Sequence, residues 1–173
     1  METAGILLPS DFFEMPATEL APLILGKILV RTLPDGNSIQ VPITEVEVYY
    51  GMEDKACHAS KGMTPRNRIM FGRGGYIYMY LIYGMYWMFN IVTGPEGHPE
   101  ALLVRGTGSV KGPGRVTRHL QMDQSFYGES LVDSNRIHLL EAPPVADFIT
   151  APRVGIEYAG EPWVSMPWRF MCR

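Results

Sequence analysis

The chain has 173 residues and a mass of 19.4 kDa, which predicts a single domain over residues 1–173 around one hydrophobic core. Hydrophobic residues make up 46% of the chain and charged residues 19%, which excludes a disordered tail and a fibrous repeat. The net charge of -3 and the pI of about 5.8, taken as averages, argue against a dedicated nucleic-acid binder, which is usually basic.

The first third of the chain predicts one short helix and two strands. Ala17–Gly26 is typical of a helix that ends at a glycine, and Ile28–Leu33 is typical of a strand. Asp35-Gly36 is a strong hairpin-turn signal. Ser38–Tyr50 then alternates as a long β-branched strand, and a slip of the alternation near Thr44 predicts a β-bulge.

The uncharged segment Gly74–Pro95 predicts a β-hairpin. Its 22 residues could in principle cross a bilayer, but the hydroxyls of its five tyrosines would have no partners in hydrocarbon. Tyr76–Leu81 alternates with period two, Tyr83-Gly84 is a tight-turn signal, and Tyr86–Thr93 returns as the partner strand. We therefore expect a hairpin here and no membrane as a partner.

The remaining segments predict short elements. Thr64–Phe71 is expected to be a short helix or a loop, in which Pro65 fits the first turn of a helix with Thr64 as its cap. A further helix is expected over Arg115–Met122, after a Gly-Pro-Gly sequence. Short strands are expected at Ala101–Arg105, Arg136–Leu140, Arg153–Ile156 and Arg169–Cys172. Because strands outnumber helices and are linked by hairpins, the expected fold is α+β: a curved antiparallel β-sheet with a protruding β-hairpin and surrounding short helices.

The cysteines and the N-terminus predict an intracellular protein. Cys57 and Cys172 are too few for a disulfide framework and are expected to be free thiols. The residues that follow Met1 lack the basic stretch and apolar run of a secretory signal. We expect the nucleus in a eukaryote, and the cytoplasm or nucleoid in a bacterium.

The charges are unevenly distributed along the chain. Residues 58–119 contain eight Lys and Arg but two Asp and Glu, which gives +6, whereas the rest of the chain carries -9. The same segment holds most of the tyrosines. Cations that neutralise phosphates and rings that stack on bases are the chemistry of nucleic-acid contact, although charge alone leaves a chance cluster on a solvated face equally open.

Glu47 is the first candidate for chemistry. It lies within Ser38–Tyr50 among apolar neighbours, where a carboxylate is unfavourable unless it is paired, at an edge or functional. Glu45 and Glu47 share a strand face and could form an acid/base pair of the glycosidase type. Cys57 and His58 are adjacent and no second ligand pair follows, so no metal is expected. Two classes remain open: an enzyme that acts on a nucleic-acid base, and a single-strand binding module.

Several long motifs can be compared with a known family. They are Ile43-Thr44-Glu45-Val46-Glu47-Val48-Tyr49, Glu53-Asp54, His58, Thr64-Pro65-Arg66-Asn67-Arg68 with Met70-Phe71, Tyr78–Tyr86, Asn90, Leu102–Arg105, Gly112-Pro113-Gly114 and Arg153-Val154-Gly155-Ile156. Together with shorter matches they run from about residue 10 to residue 173, and they closely resemble the alkyladenine (3-methyladenine) DNA glycosylase family. The resemblance implies a base-excision repair enzyme that flips a damaged purine out of duplex DNA and hydrolyses its N-glycosidic bond.

The resemblance also implies roles for single residues. Glu47 matches the general base that deprotonates the attacking water, while Arg105 and the backbone of Val154 match groups that position the water and the phosphate. The residues that match the base pocket are Tyr49, His58 and Tyr80, which sandwich the flipped base, and Asn90, whose side chain clashes with the guanine 2-amino group. Tyr83 matches the side chain that wedges into the vacated stack. Further DNA contacts are expected from Thr64, Arg66, Arg68, Met85, Tyr86, Arg115 and Gly155.

The implied partner is double-stranded DNA that contains alkylated or deaminated purines, of the 3-methyladenine, 7-methylguanine, hypoxanthine and ethenoadenine class. We expect a monomer that needs no cofactor and, without a lysine at the matching site, has no lyase step. Gly106–Lys111 replaces a longer family connection with a short Gly/Ser-rich loop. A lesion- or shape-selective DNA-binding protein with the same pocket but no activity is therefore the alternative. His58 remains open between an acid and a pocket wall, and Arg66 and Arg68 between phosphate contacts and salt bridges.

Overall fold

The computed structural model describes residues 5–173, which form nine β-strands, two α-helices and several short 3-10 turns. The strands are β1 (Ile28–Thr32), β2 (Ser38–Tyr50), β3 (Ile77–Ile82), β4 (Tyr86–Val92), β5 (Glu100–Thr107), β6 (Val110–Lys111), β7 (Ile137–Leu140), β8 (Phe148–Ala151) and β9 (Arg169–Cys172). The helices are α1 (Ala17–Ile24) and α2 (Pro113–His119). Met1–Ala4, on which part of the signal-peptide argument rests, lie outside the described residues.

The strands form one large open antiparallel sheet in the order β3-β4-β5-β2-β1-β7. β6 pairs with β5, and β9 pairs with both β2 and β8. α1 packs against β2 and β5, and α2 packs against β4 and β5, so the buried core lies between the sheet and these helices. This architecture confirms the predicted α+β class.

β2 pairs with three other strands of the sheet, and its predicted bounds are confirmed. Residues 38–42 pair with β1, whereas residues 43–50 pair with β5, and residues 45–47 also pair with β9. The register with β5 shifts on both sides of Glu45, which confirms the predicted bulge next to Thr44. Beyond the bulge Val46 and Val48 are buried in the core, so that Glu47 points to the opposite face of the sheet.

The hairpin of β3 and β4 projects from the sheet, as predicted. Tyr83 and Gly84 at its tip have φ values of 52° and 67°, the left-handed region that a tight strand reversal requires. The side chain of Tyr83 is 89% exposed and that of Met85 is 63% exposed. Two large apolar side chains are therefore presented to solvent at the end of a strand pair. In residues 5–173 no helix has the length and apolar character needed to cross a membrane.

Two local predictions are wrong, and the segment Thr64–Phe71, expected to be a short helix or a loop, forms no α-helix. Arg153–Ile156 is a turn, since Gly155 has a φ of 73° and the nearby backbone and side chains bond to β2 and its flanking loop, while the strand in this region is β8. No α-helix begins at Pro65: Thr64 and Asn67 bond to each other across a single turn, and a four-residue 3-10 turn follows. α2 begins at Pro113 and ends at His119, earlier at both ends than expected.

Candidate active site

A cleft of about 690 Å³ opens between the β3–β4 hairpin, the end of β2, the start of α2 and the turn after β8. Its aromatic lining residues are Tyr49, His58, Tyr80, Tyr83, Tyr86 and Tyr158, and its cationic ones are Arg66, Arg105, Lys111 and Arg115. Glu47 is the carboxylate among the lining residues. Flat rings and cations around one carboxylate fit a substrate that carries both bases and phosphates.

Glu47 is fully buried and is held by three neighbours. Its Oε2 accepts a hydrogen bond from the Val154 N–H at 2.7 Å, and its Oε1 accepts one from the Tyr49 hydroxyl at 3.1 Å. The Nε of Arg105 lies 3.8 Å from Oε2. These two donors and the charge of Arg105 come from β2, the turn after β8 and β5, so the position of the carboxylate is fixed by three separate parts of the chain.

The environment of Glu47 acts on its pKa in two directions. Burial raises the pKa, while the charge of Arg105, the Val154 N–H and the Tyr49 hydroxyl lower it. The net effect is a pKa above the ordinary value of a glutamate. A carboxylate with a raised pKa is a stronger base than an exposed one, and at neutral pH it is suited to accept a proton from water.

Arg105 links Glu47 to a second carboxylate. Its Nε donates to Glu45 Oε1 at 3.1 Å, and Nη1 of Arg169 donates to the same oxygen at 3.3 Å. Glu45 is thus bound by two arginines and is absent from the residues that line the described cleft. These contacts are those of a structural ion pair, whereas Glu47 faces the cleft.

An aromatic pocket lies next to Glu47. The rings of His58 and Tyr80 are 4.4 Å apart between centroids, and Tyr49 lines the same pocket. His58 Nδ1 lies 2.8 Å from the Tyr78 hydroxyl. Burial raises the pKa of Tyr78 to about 12, so this phenol stays protonated. Burial and the charge of Arg66 lower the pKa of His58, which favours the neutral ring.

Asn90 closes the inner end of this pocket. It is buried on β4, and its Nδ2 donates to the carbonyls of Tyr78 at 3.2 Å and Met88 at 3.4 Å. Because these two bonds fix the amide, the side chain cannot rotate without leaving a buried donor unpaired. The pocket is therefore rigid at this inner end.

The sequence profile of the methylpurine-DNA glycosylase family matches residues 11–111 and 106–173. The chain belongs to the methylpurine-DNA glycosylase family. It is a DNA glycosylase and its substrate is DNA. This membership confirms the family predicted from the motifs and decides between the two classes that the residues alone left open.

Relatives with the provisional name 3-methyladenine DNA glycosylase occur in several organisms. One from the archaeon Methanocella arvoryzae is 40% identical over 184 residues, covering 95% of this chain and 91% of its own length. One from Wolbachia pipientis wMel is 39% identical and covers 96% of this chain and 92% of its own length. One from Legionella pneumophila strain Corby is 40% identical and covers 94% and 92%. The similarity therefore extends over nearly the whole glycosylase.

The glycosylase brings most of the predicted site residues to one place. The predicted residues that line the cleft are Glu47, Tyr49, His58, Arg66, Tyr80, Tyr83, Tyr86, Arg105, Arg115, Val154 and Gly155. Asn90 lines the inner pocket, and Met85 lies at the hairpin tip. Thr64 lines the adjacent groove, and Arg68 is exposed on a 3-10 turn. Within residues 5–173 neither Arg66 nor Arg68 forms a salt bridge.

Sequence reasoning missed three residues of the site. Lys111 lines the cleft from the short β5–β6 hairpin that Gly106–Lys111 forms. Tyr158 lines the aromatic pocket and donates a hydrogen bond to the Ala56 carbonyl at 3.2 Å. Arg153 makes a buried ion pair behind Glu47. In residues 5–173 no cluster of three or more His, Cys, Asp or Glu side chains is arranged to hold a metal ion.

Proposed function

We propose that this glycosylase excises alkylated or deaminated purines from double-stranded DNA by simple hydrolysis, with Glu47 as the general base. Glu47 would deprotonate a water that attacks the sugar carbon of the flipped nucleotide. Its negative charge would also stabilise the positive charge that develops on the sugar as the base departs. The base leaves with the bonding electron pair, as a neutral purine when it was cationic and as an anion that takes a proton from solvent when it was neutral. The observation that carries the proposal is the fully buried Glu47 at the cleft, with its carboxylate held by Val154 and Tyr49.

The aromatic pocket supports purines as the bases recognised. Tyr49, His58 and Tyr80 also line the cleft of about 690 Å³, where they offer flat faces and edges for a flipped ring. A methylated adenine is cationic, and each contact with an electron-rich ring contributes about 0.5–2 kcal/mol. Asn90, fixed by its two backbone bonds, would lie against the position of a guanine 2-amino group and disfavour normal guanine.

The hairpin supports base flipping in a duplex. Flipping costs a few kcal/mol, and a ring that fills the vacated stack offsets part of that cost. Tyr83 is the most exposed of the large tip side chains and can reach a groove without the sheet clashing. The residues proposed to contact the DNA around it are Thr64, Arg66, Arg68, Met85, Tyr86, Arg115 and Gly155. Arg105 and Val154 would orient Glu47 and its water.

The test is a single-turnover assay with excess enzyme on duplexes that carry one ethenoadenine or one hypoxanthine. We expect base release by the parent protein and a loss of at least about a hundredfold in Glu47→Gln. Glu14→Gln is the matched control, because Glu14 is paired with Arg73 on the surface and is not among the cleft residues. Equal rates for the parent and Glu47→Gln would refute the role of Glu47.

Three further measurements test the rest of the proposal. Borohydride added during turnover should trap no protein–DNA adduct, since hydrolysis forms no Schiff base. If borohydride does trap a protein–DNA adduct, and the adduct is lost in Lys111→Gln, the cleft lysine Lys111 carries out a lyase step. Size-exclusion chromatography of the protein with and without lesion duplex tests the prediction that the protein is a monomer. Competition by undamaged duplex and by single strands tests the preference for damaged double-stranded DNA.

A further inference from the structure

Arg153 and Asp54 form a buried ion pair behind the cleft, and no step of the proposed reaction uses it. Nη1 of Arg153 donates to Asp54 Oδ2 at 2.6 Å, and Nη2 donates to Oδ1 at 2.9 Å. Both side chains are completely buried. Two parallel bonds between a guanidinium and a carboxylate fix distance and orientation together, which a single bond does not.

Further contacts hold each partner of the pair to the strand that carries Glu47. Nη1 of Arg153 also donates to the carbonyl of Val48, at 2.9 Å. The guanidinium lies 5.0 Å from the ring centroid of Tyr49 and 5.0 Å from that of Trp168. Asp54 accepts the backbone N–H groups of Tyr50 and Ala56, each at 3.0 Å. The pair is thus anchored to the end of β2 and to the loop after it.

The residue after Arg153 is Val154, whose N–H donates to Glu47 at 2.7 Å. Residues 153–155 are not part of a strand and Gly155 has a φ of 73°, so no ladder of backbone bonds fixes this turn. We propose that the Arg153–Asp54 pair is a positioning element, which holds the turn so that the Val154 N–H meets the Glu47 carboxylate. This inference rests on the proposed role of Glu47 as the base.

The pair would act on the ionisation of Glu47 mainly through that hydrogen bond, and the charge of Arg153 itself also lowers the pKa of Glu47. The charged and titratable groups around Glu47 are Glu45, Tyr49, Tyr80, Arg105, Arg153, Tyr158 and Arg169. Burial raises the pKa of Glu47, and the Val154 N–H lowers it. Without that N–H the pKa rises further, so the carboxylate is protonated at a higher pH. Excision would then fail at a higher pH than in the parent.

Arg153→Lys is the informative variant because it keeps a positive charge near Glu47 but loses the two-bond geometry. Its matched control is Arg31→Lys, because Arg31 is also buried but is not among the cleft residues. Like Arg153, Arg31 donates to backbone carbonyls, those of Leu120 at 2.9 Å and Gln121 at 3.2 Å. Single-turnover excision of ethenoadenine from a duplex is measured across pH for both variants, together with their thermal melting.

We expect the acid limb of the rate profile to move up by about one pH unit in Arg153→Lys, which is a tenfold loss on that limb. Arg31→Lys should lower the melting temperature but leave the limb in place. The inference is overturned if Arg153→Lys folds but its acid limb stays at the pH of the parent. It is also overturned if Arg31→Lys moves the acid limb by the same amount. If Arg153→Lys does not fold, Asp54→Asn replaces it under the same criteria.

A double variant separates positioning from general support of the fold. In the Glu47→Gln background, adding Arg153→Lys should change the residual rate by less than about twofold, because the pair acts through Glu47. A further large loss there would show a purely structural role. If Glu47→Gln alone is fully active, the proposed function is wrong. If Glu47→Gln is inactive and Arg153→Lys leaves the acid limb of the rate profile in place, only the positioning role of the Arg153–Asp54 pair is wrong.

Discussion

We expect Tyr83→Ala, which removes the ring, to weaken DNA binding while leaving the stability of the fold almost unchanged. The side chain is 89% exposed, so Tyr83→Ala should change the free energy of unfolding by no more than about 0.5 kcal/mol. In the complex the same ring would replace a flipped base in the stack, where stacking on an aromatic side chain contributes about 1–3 kcal/mol. Lesion-duplex binding should therefore weaken by about 5-fold to 150-fold while the fold remains intact.

The assay for Tyr83→Ala follows the fluorescence of ethenoadenine in a duplex, which reports unstacking and entry into the protein pocket, together with anisotropy for total binding. Tyr83→Phe keeps the ring and should keep most of the affinity. Leu23→Ala is the control for loss of a partly exposed apolar side chain, because Leu23 lies on α1 and is not among the cleft residues. If Tyr83→Ala flips the base and binds the duplex as well as the parent does, Tyr83 is not the wedge. A large loss of thermal stability in this variant would refute the argument that the ring acts in binding and not in folding.

Two other predictions concern charge. Arg115→Gln removes one cation from the cleft rim, so the slope of log affinity against log salt should become shallower by about one, and an unchanged slope would show that Arg115 contacts no phosphate. Glu47→Gln should be at least as stable as the parent at about pH 8, since burial raises the pKa of Glu47 above its unfolded value and ionised Glu47 then destabilises the native state. Thermal melts should show that this advantage shrinks as the pH falls through the folded pKa, and a variant less stable at every pH would contradict the argument.

The strands and the hairpin could be predicted because their signals are local. Alternation over Ser38–Tyr50 and Tyr76–Leu81 identifies strands, and Tyr83-Gly84 supplies a turn at the required place. The bulge beside Thr44 could also be predicted, since it appears as a break in the alternation. The local pattern left Thr64–Phe71 open between a short helix and a loop. It forms no α-helix, because Asn67 donates to the carbonyls of His58 and Gly62 and fixes a single turn.

The site was less predictable from local patterns. Glu47 stands out as a carboxylate among apolar strand residues, but the roles of its neighbours came from family resemblance. The Arg153–Asp54 pair joins residues 99 positions apart, and no periodicity in either segment indicates the other. For the same reason the run Arg153–Ile156 looked like a strand, although its polar groups are bonded to β2 and the loop after it.

The orientation of Glu47 depends on one glycine in the neighbouring strand. At the bulge, β5 approaches β2 so closely that a Cβ on Gly106 would lie 2.7 Å from Thr44 Oγ1 and 3.0 Å from the Glu45 Cβ. A larger residue at position 106 would push β5 away, and Arg105, the residue before it, would move with it. A slip of β2 by one residue would turn Glu47 into the core and Val48 toward the cleft. The close approach of β5 to β2 at Gly106 therefore helps to set the distance between Arg105 and the proposed base.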